Sequence, residues 1–140
     1  MPNNARILQD SRIIAIVGMS DKPERASHQV ADYLIGHGYH VVPVNPALAG
    51  QDVLGQRAFS TLAEAAASVA PKRIDIVDCF RKSEDIVAIA EEAVAIKAGC
   101  LWLQLDVINE QAEKIARAAG LDVVMDHCTK IEHRNLPVAA

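Results

Sequence analysis

Five consecutive apolar residues, Ile13-Ile14-Ala15-Ile16-Val17, run without a polar interruption into Gly18. A strand with one face in water alternates apolar and polar side chains. This run does not, so it reads as a strand covered on both faces, the situation of a parallel sheet flanked by its own crossover helices. The rest of the chain keeps that rhythm. Val41, Val42 and Val44 make a second strand, stopped by Asn45-Pro46. Residues 74–80, 101–105 and 123–125 read as three more strands. Pro43 lacks an N–H for a ladder, so one side of the second strand is expected to be unpaired there. Aromatic residues are only 4% of the chain, so the core must be built from Ala, Val, Ile and Leu.

Helical patterns fill the gaps. One is expected to open on a capping Ser27 and carries Val30, Ala31, Leu34 and Ile35 on one side, with Gly36 and Gly38 at its end. Thr61-Leu62-Ala63-Glu64 has the capping-box spacing and starts a short Ala-rich helix. Ser83 is expected to cap a long helix ended by Gly99, and Asn109 one ended by Gly120. A short helix is expected near residues 5–8 and a final helical turn or two over 131–136. Residues 47–59 read as irregular, with a short edge strand near 57–59. Strand and helix in alternation mean right-handed crossovers. The expected fold is therefore α/β: a doubly wound, mostly parallel, Rossmann-like sheet of about five strands, forming one domain over residues 1–140.

Several function classes drop out. The net charge of −4 gives no basic face for wrapping nucleic acid. The opening Met1-Pro2-Asn3-Asn4-Ala5-Arg6 lacks the apolar core of a signal peptide, and no apolar run is long enough to span a membrane, so a cytoplasmic protein is expected. The three cysteines, Cys79, Cys100 and Cys128, form no CxxC pair and read as reduced thiols, with no metal site.

In a doubly wound sheet, ligands lie beyond the carboxyl ends of the strands, where strand order reverses. The loop after the first strand, Gly18-Met19-Ser20-Asp21-Lys22-Pro23-Glu24-Arg25-Ala26-Ser27, is the place for a pyrophosphate. A helix N-terminus attracts anions, Lys22 and Arg25 add positive charge, and Ser20 and Ser27 add hydroxyls. The alternative is an ordinary turn with solvated charges. The loop is not GxGxxG, since Ser20 stands where a second glycine would fall. Asn45 ends the second strand in place of the acidic residue that holds a ribose in NAD domains. Both departures count against a standard NAD dehydrogenase.

Taken in order, four stretches carry a resemblance. They are Ile14 to Ser20 with Arg25-Ala26-Ser27; Val41-Val42-Pro43-Val44-Asn45-Pro46; Asp75 to Arg81 with Trp102-Leu103-Gln104-Leu105; and Met125 to His133. Together they resemble the stand-alone CoA-binding domain family, related to the CoA-binding domain of the succinyl-CoA synthetase alpha subunit. The resemblance covers nearly the whole chain and implies that coenzyme A is held at the strand ends. It places Gly18, Ser20, Lys22 and Arg25 near the phosphates, with Met19 and Ser27 in the same loop. It puts Val44, Asn45 and Pro46 along the adenosine or pantetheine path, and Phe80 and Arg81 at the neighbouring strand end. Met19 stands where many relatives carry a small residue.

No catalytic constellation is expected. Asp126, His127 and Cys128 are consecutive on an extended chain and point in opposite directions, so they are no dyad. His28 starts a helix and could face a phosphate; His37, His40 and His133 read as surface residues. Trp102 reads as core, and Asp75 and Asp78 fall on opposite strand faces, which rules them out as a metal pair. Cys128 alone follows its strand in a polar turn, and it is the thiol placed to meet that of CoA; the plain reading is an ordinary half-buried cysteine. The leading function is a non-catalytic binding or regulatory module for CoA or an acyl-CoA. The alternatives are an NAD(P)-binding redox sensor or oxidoreductase, and a component of a CoA ligase.

Overall fold

The computed structural model describes residues 3–136; Met1, Pro2 and residues 137–140 of the expected domain lie outside the described residues. Five strands form one parallel sheet: β1 (Ile13–Val17), β2 (His40–Val44), β5 (Ile76–Cys79), β6 (Cys100–Leu103) and β7 (Asp122–Val124), in the order β2-β1-β5-β6-β7. Two short strands, β3 (Asp52–Val53) and β4 (Gln56–Arg57), form a separate antiparallel hairpin. The helices are α1 (Asn4–Asp10), α2 (Ala26–Gly36), α3 (Leu62–Val69), α4 (Ile86–Ala95), α5 (Glu110–Ala118) and α6 (Thr129–Arg134). Strand order reverses between β1 and β5, which makes their carboxyl ends the switch point of a doubly wound, Rossmann-like sheet.

Two cores explain the uninterrupted apolar strands. Ile14 and Ile16 of β1 face the layer of α1, α2 and α6, with Leu8, Val30, Leu34 and Trp102. Ile13, Ala15 and Val17 face α3, α4 and α5, with Leu62, Ile89 and Ala112. Each strand divides its side chains between these layers, and a polar side chain on either face would have to find a partner inside. β5 does carry one: Asp78 is fully buried. At its other end the sheet is fastened by Asp75, whose Oδ2 accepts from the amides of Arg12 (2.8 Å) and Ile13 (3.0 Å).

β2 is the outermost strand of the sheet, but its outer side is not left unpaired at Pro43 as expected: the Phe59 amide donates to the Pro43 carbonyl at 3.0 Å, and the Asn45 amide donates to the Phe59 carbonyl at 2.9 Å. The edge strand expected near 57–59 is thus reduced to this single bridge, after the β3–β4 hairpin.

Two capping expectations fail. Ser27 is the second residue of α2, whose N-cap is Arg25 and has no side-chain cap. Ser83 opens a 3-10 turn ahead of α4, and its Oγ accepts from the Ile108 amide at 3.1 Å. In both places a tertiary partner takes the hydroxyl. Nor does Gly99 end α4: the helix stops at Ala95, and the left-handed residue after it is Lys97 (φ 57°). A Cβ at Gly99 would lie 2.8 Å from the Asp75 carbonyl, so the glycine serves a close strand approach. By contrast, Thr61 and Asn109 cap α3 and α5 through the amides of Glu64 and Ala112. His133 is another correction. It is half-buried, its Nδ1 lies 2.8 Å from the Tyr33 hydroxyl, and it packs edge-on to Tyr33 and Tyr39.

Candidate functional site

The switch point is shaped by Gly18. Its φ is +85°, its amide donates to the Val44 carbonyl at 2.9 Å, and a Cβ there would lie 2.4 Å from the Phe80 carbonyl. No side chain fits without moving the end of β5, so the chain leaves β1 flat against Phe80 and Arg81.

Beyond Gly18 the loop folds on itself. The Ser20 amide donates to Ser27 Oγ (3.0 Å), and Ser20 Oγ accepts from the Lys22 amide (3.1 Å). The serines therefore shape the loop and spend acceptor capacity within it. Met19 contributes backbone only, because its side chain is fully buried in the core of α2. Its carbonyl accepts from Asn45 Nδ2 at 2.8 Å, while Asn45 Oδ1 accepts from the Ala47 amide at 2.9 Å. Asn45 thus ties the loop after β1 to the loop after β2. Lys22 and Arg25 stay exposed beside the uncapped first turn of α2, whose amides have no partner within the helix.

Three depressions adjoin one another across the strand ends. The first, about 390 Å³, is lined by Gly18, Ser20, Lys22, Arg25, Ser27, Asn45 and Phe80 and carries the cations. The second, about 440 Å³, lies towards α3 and α4, with Val44, Asn45, Pro46 and Arg81 in its wall. Gly18 and Asn45 are shared by these two. A third, about 580 Å³, is mostly apolar and is lined in part by Ala26, Val30, Phe80, Leu105 and Cys128. All eleven residues singled out in the sequence therefore border this one region. His28 lines none of the three.

A depression bordered by two exposed cations and the start of α2 thus adjoins a larger, mostly apolar one. The sequence pattern of the family described as CoA binding domain matches residues 12–134. The chain belongs to the CoA-binding domain family. It is 40% identical over 127 residues to the uncharacterized protein YneT of Bacillus subtilis, covering 91% of this chain and 89% of that one. A hypothetical protein from Pyrococcus horikoshii has the same architecture at 35% identity, with a TM-score of 0.85 over 96% of this chain and 92% of the other. A dinucleotide-forming acetyl-coenzyme A synthetase from Ca. Korarchaeum cryptofilum shares the fold at 20% identity (TM-score 0.68), over 86% of this chain and 27% of the synthetase.

Beneath the strand ends this CoA-binding domain holds a buried network that the sequence reading did not assemble. Gln104 Nε2 donates to Asp78 Oδ1 and lies 3.2 Å from Thr129 Oγ1, and Thr129 Oγ1 donates to Asp78 Oδ2 at 2.8 Å. Burial pushes the Asp78 carboxyl up to about 7, against the lowering effect of its two hydrogen bonds. The signal was a lone acid in an apolar strand, but its partners stand 26 and 51 positions away. The network locks α6 to β5 and β6 and fixes the loop that carries Cys128.

The thiols differ sharply. Cys79 and Cys100 are buried, and burial pushes both thiols up. Cys128 is half-buried in the wall of the apolar depression. His127 turns its Nδ1 to Glu132 Oε2 at 3.6 Å, and its carbonyl accepts from Trp102 Nε1 at 2.8 Å. Trp102 is fully buried, as a core residue should be.

Proposed function

We propose that this chain binds coenzyme A or an acyl-CoA across the carboxyl ends of its parallel sheet, as a non-catalytic binding or regulatory module. The observation that carries this reading is a set of adjoining depressions at the strand ends of a member of the CoA-binding domain family. Its cationic end, at Lys22, Arg25 and the start of α2, suits the phosphates, and its apolar end suits the pantetheine arm. Val44, Asn45 and Pro46 offer a wall for the adenosine.

A dinucleotide of the NAD type is a poorer fit. Asn45 has already committed its amide to Met19 and its oxygen to Ala47, leaving no carboxylate to accept from a ribose diol. We read the role as binding because His127, next to the pocket-lining thiol Cys128 in sequence, is turned to Glu132.

Calorimetric titration of the purified chain tests the reading. Coenzyme A is expected to bind with a stoichiometry of one, and added salt should weaken it because exposed cations meet its phosphates. Heat from NAD with none from coenzyme A would reject the assignment.

A further inference from the structure

We propose that the apolar depression beside the cationic loop is an acyl chamber, so that this chain holds a medium-chain acyl-CoA with an unbranched apolar acyl group in preference to free coenzyme A. This rests on the coenzyme A reading above and adds the class of acyl group.

Continuity comes first. Ala26 and Phe80 form part of the wall of both the cationic depression and the apolar one. A flexible arm that leaves phosphates held at Lys22 and Arg25 therefore crosses Ala26 and Phe80 directly into the chamber. At about 580 Å³ its volume is that of a ligand pocket, and it would take the end of the arm together with an acyl chain. Val30, Leu105 and Val107 line it further on.

The rim supplies a second observation. Among the described residues, the exposed large apolar side chains are Leu105 (53%) and Ile108 (51%), both on the loop that borders this chamber. That loop is firmly held. The Asp106 amide donates to Asp126 Oδ1 at 2.7 Å, the Val107 amide to the Gln104 carbonyl at 3.0 Å, and the Ile108 amide to Ser83 Oγ at 3.1 Å. The backbone of this loop is thus fixed with Leu105 open at the mouth of the chamber, where a bound acyl chain would cover it.

The polar groups argue against a charged acyl group. Arg81 Nη2 is paired with Asp85 at 3.2 Å, and the Gln104 amide is engaged by Asp78 and Thr129. Lys82 lies on the exposed rim. The interior therefore rewards methylene groups, each of which strengthens binding by up to about fourfold when fully buried.

The test compares coenzyme A with octanoyl-CoA by calorimetry, on the native chain and on Leu105→Glu. Octanoyl-CoA is expected to bind native protein at least about tenfold more tightly, and Leu105→Glu should cut that preference to about threefold or less. Leu105 is exposed, so the variant should melt with the native protein. A second readout is independent of affinity: at saturation, octanoyl-CoA should slow iodoacetamide alkylation of Cys128 more than acetyl-CoA does, neither ligand carrying a free thiol to consume the reagent, while Cys79 and Cys100 stay silent in their buried positions. Coenzyme A binding with no gain from the acyl chain would overturn the chamber and leave the coenzyme A reading standing. Binding of neither ligand would overturn both.

Discussion

Replacing Lys22 and Arg25 together by alanine should weaken coenzyme A binding by about a hundredfold or more, because each charge-assisted contact to phosphate is worth roughly 1.5–3 kcal/mol and exposure favours the lower end. The fold should survive. Both side chains are exposed, and the turn is held by backbone, with the Arg25 amide donating to the Lys22 carbonyl at 3.0 Å. The variant should also lose most of the salt dependence of binding, since the charges screened by salt are the ones removed. Calorimetry giving an affinity within about twofold of the native value would show that these cations are only solvated and that the phosphates lie elsewhere.

The second large effect is on stability, at Asp78. Its carboxyl is pushed from 3.8 up to about 7 by burial, so between those values the folded chain keeps a proton that the unfolded chain has lost. Stability from this group is then fully present below about pH 4, falls as pH rises towards 7, and levels off above 7. The loss across that window is at most about 4 kcal/mol, taking 1.36 kcal/mol for each pH unit. An Asp78→Asn variant cannot titrate, yet its amide can still accept from Gln104 and donate to Thr129. Relative to the native chain, its unfolding free energy should therefore improve from about pH 4 to about pH 7 and level off above that. Urea denaturation at several pH values measures the difference, and a constant difference across the range would mean that Asp78 is already ionised in the fold.

Much of the fold was legible because it depends on patterns local to each segment. The unbroken apolar run of β1 implied two covered faces, and both cores are present. Pro43 implied a side without ladder partners; β2 is the outermost strand, but the Phe59 amide reaches the Pro43 carbonyl there. The switch point then followed from topology, which is why the candidate residues gathered around one cleft before any side chain was placed.

What the sequence hid depends on partners far apart in the chain. Ser27 and Ser83 carry the local mark of a helix cap, but their hydroxyls go to Ser20 and Ile108 instead. Gly99 resembles a helix stop, yet it is set by the close passage of Asp75. Met19 stands in the loop after β1 by position while its side chain turns into the core. His133 meets Tyr33 across 100 positions, and Asp78 meets Thr129 across 51. No local periodicity encodes such pairings; they exist only once α6 has docked. The resemblance supplied the ligand class, whereas the residue roles at Asn45 and the two serines, which shape loops, came from geometry.

The most direct test of a coenzyme A site is a thermal melt of the native chain with coenzyme A, acetyl-CoA, NAD, NADP and ATP in parallel. A ligand that binds only the folded state at a hundredfold excess over Kd adds roughly 2.7 kcal/mol, which for a domain of this size raises Tm by about 9 °C. The account predicts that rise with coenzyme A and acetyl-CoA, and a clearly smaller one with NAD. A comparable rise with NAD and none with coenzyme A would contradict it.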